Sequence, residues 1–346
     1  MTEKEAKQKL DRMKAVLEPH KHVAIVTHNN PDPDAMAAAF GLQLLFKHSF
    51  GLESTVFYGG LIGRAENRAM VSLLKLNMEN MQEIDYRRYK AVALVDTQPA
   101  AGNNQLPSKI IPDIVVDHHK PVRARTKKVP FHDVRTDYGA SSTIVLEYII
   151  AAGIGLPKNI ATALFYGIKT DTYDLGREFI RADIEAYKYL VDRVDRNKLW
   201  RIEKPLHRHG YFKQMYNALL GVEMYDDLLV TVIPEMEYPD LAAEVADWMY
   251  GMKGIKWVLV IGTCGGKIYL SVRTRDGKRD AGRLIRTVVG GHGLAGGHGK
   301  IAGGIIHHEP MDAVSSASEF DRLKTRFYAT LKPGENVRPV RLIHTK

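Results

Sequence analysis

VAIVTHNNPDPDA, residues 23–35, runs from an apolar, β-branched stretch into His28 and then into Asp32 and Asp34. The apolar run reads as a buried strand. The chain leaves it by way of one short loop that carries three side chains able to ligate a cation. Similar apolar runs recur at 54–60, 90–96 and 110–117, with the helical patterns DAMAAAFGLQLLFKHSF and ENRAMVSLLKLN between them. Strand, helix, strand, helix in that order argues for an α/β fold with a mainly parallel sheet flanked by helices. Further helices are expected at 141–152, 158–169 and 182–198, with no other strong strand in this half.

The second half differs. DLLVTVIP (227–234), KWVLVIGTC (256–264) and KIYLSVRTR (267–275) read as strands, the last two joined as a hairpin around Gly265-Gly266. LAAEVADWMYGM and DAGRLIRTVV interleave as helices, and GGHGLAGGHGKIAGG is read as too glycine-rich for either regular element. A charged connecting stretch at 200–222 separates a first domain, 1–199, from a smaller α/β domain with a mixed sheet, 223–346. A cleft between the two is expected.

Composition narrows the class. Of the 346 residues, 45% are hydrophobic and 26% charged, a soluble globular profile, and no apolar run is long enough to span a bilayer. The first twenty residues are charged throughout and lack the apolar core of a secretory signal, so they read as a short amphipathic helix. A single cysteine, Cys264, cannot form an intrachain disulfide, and a reducing cytoplasm is the expected location. The net charge of +9 suits either a solvated basic surface or an anionic substrate.

In open α/β sheets ligands bind outside the carboxyl ends of the strands, so the other strand ends should carry chemistry that matches the opening loop. KAVALVD ends in Asp96; IIPDIVVD ends in Asp117, followed by His118 and His119; ATALFYGIKTDTYD delivers Asp171. Singly, an aspartate at a strand end is commonly a cap or turn residue. Together, Asp32, Asp34, Asp96, Asp117 and Asp171 with His28, His118 and His119 would repel one another if gathered without a cation, since packed like charges raise carboxylate pKa values. Mixed carboxylate and imidazole ligands suit Mn²⁺, Fe²⁺, Co²⁺ or Zn²⁺, and the lack of a thiolate cluster argues against a structural zinc. The set is larger than one ion takes from protein alone. Two divalent ions about 3.5–4 Å apart, sharing a bridging carboxylate, would use it well and would serve phosphoryl transfer.

HNNPDPDA, VDT, VDHH and TDT, in that order, resemble the four motifs of the DHH phosphoesterase superfamily, with DHH read directly as Asp117-His118-His119. The glycine-rich stretch resembles the phosphate-binding motif of the DHH-associated C-terminal domain, so the resemblance covers nearly the whole chain. It implies that His28 and Asp32 hold a first metal, Asp34 a second, and that Asp96 bridges. His118 and Asp171 would complete the ligands of the second metal, and Asp117 would orient a ligand from behind. His119 would face the scissile phosphate, as stabiliser or as proton donor to the leaving oxygen. Arg273 and the histidine of a Gly-Gly-His stretch would grip substrate away from the metals. Gly296-Gly297-His298 is favoured for that role because AGGIIHHE follows it like a closing strand; Gly290-Gly291-His292 is the alternative. Tyr173-Asp174-Leu175 stand where many relatives have a glycine and an aromatic residue, so the adjoining substrate wall is expected to differ.

Members of the superfamily usually use Mn²⁺ and hydrolyse phosphate esters with water. The resemblance therefore implies a cytoplasmic phosphoesterase acting on short oligonucleotides, linear or cyclic dinucleotides, or 3′-phosphoadenosine 5′-phosphate, without a membrane partner and as a possible homodimer. An inorganic pyrophosphatase or exopolyphosphatase is the nearest rival, but the basic Ser-Arg-Lys-Lys motif of those pyrophosphatases is not found here. A nucleotide-binding sensor without catalysis is the rival from another class.

Overall fold

The computed structural model describes residues 2–85, 88–307 and 313–343, and within them leaves out the side chains of Glu83, His298 and residues 313–316. The chain divides into two units, Met1–Pro205 and Leu206–Lys346, so the stretch 200–222 is shared between them.

The first unit opens with α1 (Glu3–Leu17), started by a reciprocal capping box between Thr2 and Glu5. β1 (His22–Asn29) leads into α2 (Pro33–Leu45), where the Asp32 side chain caps the helix and Pro33 takes its first position. Then come β2 (Glu53–Gly59), α3 (Ala65–Leu74), β3 (Met78–Asn80), β4 (Ala91–Val95), β5 (Ile114–Asp117) and β6 (Phe131–Val134). Four helices close the unit: α4 (Ser141–Ala151), α5 (Lys158–Asp171), α6 (Arg181–Val191) and α7 (Arg196–Glu203).

Among the described residues the strands form a six-stranded sheet in the order β3-β2-β1-β4-β5-β6, every pair parallel. β1 has β2 on one side and β4 on the other, so the winding reverses between β1 and β4. At such a switch point a crevice opens beyond the strands' carboxyl ends. His28 lies one residue before the end of one of these two strands, and Asp96 follows the other.

Strand alternation separates two cores. Val23 and Ile25 of β1 pack with side chains from α1 through α7, whereas Ala24 and Val26 meet Phe57, Met81, Tyr89 and Val129 on the opposite face. α2 is buried around almost its whole circumference, which explains its run of alanines. Gly167 of α5 permits a close crossing: a Cβ there would stand 2.6 Å from Ser142 Oγ and 3.1 Å from Asp34 Cα. That approach brings the end of α5 to the start of α2.

The strands expected at 22–28, 54–60, 90–96 and 110–117 are β1, β2, β4 and β5, the last beginning later than expected, at Ile114. β3 and β6 were not expected. β6 reads FHDV and turns Asp133 inward beside Phe131, which hides the apolar signal. The helix expected over 182–198 is two helices, because the chain breaks after Val191 and Asp195 caps α7 by accepting from the Lys198 N–H.

The second unit contains α8 (His209–Leu220), β7 (Glu223–Tyr225), β8 (Leu228–Ile233), α9 (Leu241–Met249), β9 (Trp257–Cys264), β10 (Lys267–Thr274) and α10 (Ala281–Val289). β11 (Gly293–His298), β12 (Ile301–His307), α11 (Ala313–Leu331) and β13 (Val340–Arg341) follow. The mixed sheet runs β11-β12-β10-β9-β8-β7-β13, with β8 and β9 parallel. α10 and α11 cover one face, α8 and α9 the other. Gly265 and Gly266, at φ of 56° and 70°, make the tight β9–β10 turn. The glycine-rich stretch expected to be irregular is instead the β11–β12 hairpin. Its backbone pairs with β12, and β12 pairs with β10, so hydrogen bonding supplies what the missing side chains do not.

One buried charge cluster ties the first unit together. Asp133 accepts from Lys9 of α1 at 2.6 Å and from Arg135, and Tyr148 of α4 donates to it as well. Arg135 also pairs with Glu147 and lies against the Tyr138 ring. Burial pushes the Asp133 carboxyl up, but its donors more than offset this and hold it below the ordinary range. Its contribution to stability is therefore complete above the unfolded carboxylate pKa and is lost as pH falls through the lowered value. Asp133→Ala, which takes an ion-pair partner from the buried Arg135 guanidinium, is expected to cost about 3 kcal/mol in denaturant unfolding. It should also flatten the acid limb of the stability profile; a loss below ~1 kcal/mol, the range of an exposed pair, would contradict this account.

Candidate metal centre

The carboxyl ends of β1, β4 and β5, the start of α2 and the end of α5 bring their polar side chains to one place. Three overlapping groups have ligand atoms within 4.8 Å of one another: His28, Asp32 and Asp96; Asp96, His118 and His119; and Asp34, His118 and Asp171. All six residues expected as metal ligands are thus gathered. Asp117 stands behind them, joined to His119.

Asp96 is the residue common to the two sides. It is fully buried, and its backbone takes the left-handed conformation at φ 59°, which aspartate tolerates better than most residues. Its Oδ2 lies 3.4 Å from His28 Nε2, while its Oδ1 lies 3.5 Å from His118 Nε2. One carboxylate therefore faces two different imidazoles with two different oxygens. Asp32 Oδ2 is 3.6 Å from His28 Nε2, its other oxygen being taken by the Ala35 N–H at the helix cap. Asp171 Oδ2 is 3.1 Å from His118 Nε2. Asp34 is buried, and its Oδ2 and Oδ1 accept from the backbone N–H groups of Ser141 and Ser142 at 2.7 and 2.8 Å.

The tautomers follow from the neighbours. His28 Nδ1 is 2.9 Å from the Asn29 carbonyl and His118 Nδ1 is 3.0 Å from the Tyr138 carbonyl. A carbonyl only accepts, so Nδ1 carries the proton in both rings and Nε2 turns toward the carboxylates. His119 points the other way about: its Nδ1 is 2.8 Å from Asp117 Oδ1, leaving Nε2 outward on a side chain 48% exposed.

The charges conflict in the manner a cation relieves. Burial lowers the His28 and His118 imidazoles, yet the carboxylates around them overcome it and raise both well above the usual range. His119, burial likewise opposed by Asp96 and Asp117, is pushed up to about 9. Burial, then Asp96 and Asp171, raise Asp34 far above an ordinary carboxyl. Asp32 and Asp117 shift down against their own burial because His28 and His119 sit beside them. Moreover, Asp96 Oδ2 and His118 Nε2 are buried with no hydrogen-bond partner among the described residues. Unsatisfied oxygen and nitrogen donors of mixed carboxylate and imidazole type, aimed at one another, fit a divalent ion.

Two residues that sequence reasoning missed support the centre. Gln98 is buried; its amide N–H₂ donates to Asp117 Oδ2 at 2.7 Å and to the His119 carbonyl at 3.0 Å. Its carbonyl oxygen accepts from the Arg123 N–H and the Thr126 hydroxyl. Ser141, at the start of α4, donates its hydroxyl to Asp96 Oδ1 at 2.8 Å. Neither carries a charge or a ligand atom, so only the partner across space marks it.

The residues expected to bind substrate belong to the second unit. Arg273 is buried on β10, its Nε donating to Asp247 at 2.5 Å and its Nη1 to the Ser271 hydroxyl and the Val272 carbonyl. Gly296 and Gly297 lie exposed on β11, the edge strand of the sheet. The side chain of His298 lies outside the described residues, and His292 is exposed just before β11.

Comparison with known proteins gives a consistent picture. Residues 22–168 match the DHH family, N-terminal domain. An uncharacterised protein of Methanocaldococcus jannaschii is 33% identical over 302 residues, covering 87% of this chain and 60% of its own length. A protein of Streptococcus pyogenes named "Probable manganese-dependent inorganic pyrophosphatase" is 29% identical over 164 residues, covering 43% of this chain and 48% of its own. The chain thus spans about half to three-fifths of the curated relatives it matches. Among solved structures, an exopolyphosphatase-related protein from Bacteroides fragilis has the same fold, with a TM-score of 0.67 over 94% of this chain and 97% of that one at 17% identity.

Restoring Mn²⁺ to chelator-stripped protein at about a hundred times its Kd is expected to add roughly 2.7 kcal/mol of stability. For a unit of this size that raises the unfolding midpoint by about 5–10 °C. His118→Ala should remove most of the shift; a wild-type midpoint indifferent to divalent ions would eliminate the metal assignment.

Proposed function

The N-terminal unit of this chain belongs to the DHH family, and on that premise we propose that the protein is a metal-dependent phosphohydrolase cleaving phosphate esters of small nucleotides or short oligonucleotides. The observation that carries the proposal is the divided carboxylate of Asp96, one oxygen toward His28 and the other toward His118. His28, Asp32 and Asp96 Oδ2 would hold one ion; Asp34, Asp96 Oδ1, His118 and Asp171 would hold a second, with Mn²⁺ the first choice for both. Bound there, such ions lower the pKa of water and neutralise charge on a phosphoryl group.

The chain's own side chains do the rest. Asp34 and Asp96 are fixed by donors from α4, so the carboxylates are oriented before substrate arrives, and preorganised groups need no rearrangement during reaction. Asp117, itself held by Gln98, holds His119 by its Nδ1–H, leaving Nε2 outward where it can hold a proton for the departing oxygen. In this role Asp117 positions and His119 acts.

The second unit favours a nucleotide over a bare inorganic phosphate. Among the described residues, no atom beyond Gly296 and its chain neighbours lies within 4 Å of the place where a Cβ on Gly296 would stand, so packing there supplies no reason for glycine. Close approach of a ligand to the backbone supplies one, since exposed N–H groups cradle anions. Gly297 has a separate reason, its φ of 126°. Arg273 would join this site only by letting a phosphate compete with Asp247 for its guanidinium, and His298 completes the proposed set. A pyrophosphate substrate is the second reading, favoured by the similarity to the streptococcal protein of that printed name.

Turnover by stripped protein given Mn²⁺ separates the two. The panel holds 3′-phosphoadenosine 5′-phosphate, linear and cyclic dinucleotides, and pyrophosphate. Release of nucleoside monophosphate is the expected result, and Asp96→Ala should abolish it and weaken retention of both ions. Turnover of pyrophosphate alone would replace the nucleotide reading with the second one. Gly296→Val is expected to raise KM for the nucleotide at least fivefold, by about 1 kcal/mol of lost binding, with kcat retained. The same variant should leave hydrolysis of bis-p-nitrophenyl phosphate unchanged; equal loss on both substrates would remove Gly296 from the binding site.

A further inference from the structure

We propose that Ser141 is a positioning residue that sets how the two oxygens of Asp96 are shared between the two sides of the metal centre. Ser141 is fully buried at the first position of α4. A serine at a helix start usually caps it, but this helix begins after Ala140 with no side-chain cap, so the hydroxyl is not spent on its own helix. It donates instead to Asp96 Oδ1 at 2.8 Å. Asp96 Oδ2 has no hydrogen-bond partner among the described residues, His28 Nε2 standing nearest at 3.4 Å.

That asymmetry has chemical content. A carboxylate turns easily about its last torsion, which is broad, and at intermediate angles neither oxygen faces its imidazole. A hydroxyl donated to one oxygen fixes the plane of the group, so Ser141 holds one oxygen toward His118 and the other toward His28. It also occupies one lone pair of Oδ1, the oxygen on the His118 side, and leaves both lone pairs of Oδ2 for the His28 side. The same turn of chain fixes Asp34 through the Ser141 and Ser142 N–H groups, so a single helix start sets two carboxylates relative to each other. Without the hydroxyl, Asp96 is free to turn, and the His28 side, left with only His28 and Asp32, loses the larger share of its ligands. The His118 side keeps His118, Asp171 and Asp34, the last held by backbone N–H groups that the substitution leaves in place.

The proposal rests on the two-ion reading above, and calorimetry tests it without relying on turnover. Mn²⁺ is titrated into full-length, chelator-stripped wild type, Ser141→Ala and Ser141→Thr. The alanine variant is expected to bind one ion 10–100-fold more weakly, as loss of an outer partner typically does, and the other within about twofold. Threonine, which keeps the hydroxyl, should restore the affinity; if it does not fold, the asymmetry of the alanine variant decides alone. Wild-type affinity for both ions in Ser141→Ala, or equal weakening of both, would overturn the proposal. So would failure of a folded threonine variant to rescue. A wild type that takes a single ion overturns it too, while leaving phosphohydrolase activity to stand or fall on the substrate panel. Where turnover is measurable, kcat should fall with the lost affinity at subsaturating Mn²⁺ while KM for the phosphate ester stays within about twofold.

Discussion

A buried carboxylate shared by two imidazoles is the constraint around which the first unit is built. Asp96 has no access to water, stands in a left-handed backbone conformation, and leaves one oxygen without a donor. Each of these costs free energy, and strained, unsatisfied groups persist where the surrounding structure dictates them. The surroundings here are the switch point of a parallel sheet, where β1 and β4 run side by side and deliver His28 and Asp96 to adjacent ends. A flat or antiparallel arrangement would not open a crevice at that point.

Helix ends do the remaining work, and they do it with opposite signs. Asp32 and Asp34 lie at the start of α2, and Asp34 also receives two N–H groups at the start of α4; a helix N-terminus favours negative charge. Asp171 lies at the last position of α5, where the helix dipole disfavours a carboxylate by about 0.3–1 kcal/mol. His118, at 3.1 Å, offsets that cost. The close crossing allowed by Gly167 is what lets these two helix ends meet.

The second unit solves a different problem with the same economy. One edge strand, β11, is half glycine, which would ordinarily weaken a strand because glycine loses the most backbone freedom and packs nothing. Pairing to β12, and the burial of Ala302 and Ile306 against α10 and α11, hold the hairpin in place. The result is a stretch of backbone with little side chain over it, on a sheet whose core lies elsewhere.

Much of the first unit was legible along the chain. Apolar runs ending in His28, Asp96 and Asp117 marked buried strands because a parallel sheet covered on both faces leaves its strands continuously apolar. The metal-capable side chains stood out because charge at the end of such a run has no packing explanation. β6 did not stand out, because its inward Asp133 belongs to an ion-pair network that exists only once α1 and α4 are folded against it. The glycine hairpin was misread for the related reason that its strands are held by partners rather than by propensity. Gln98 and Ser141 are the clearest cases. Their residue types are neutral, yet one orients Asp117 and the other Asp96. The chain by itself determined which side chains would hold the charge and which strands would carry them. The directions in which Asp34 and Asp96 face were decided by tertiary structure, because a hydrogen bond depends on a donor within about 3 Å, and their donors come from α4, distant along the chain.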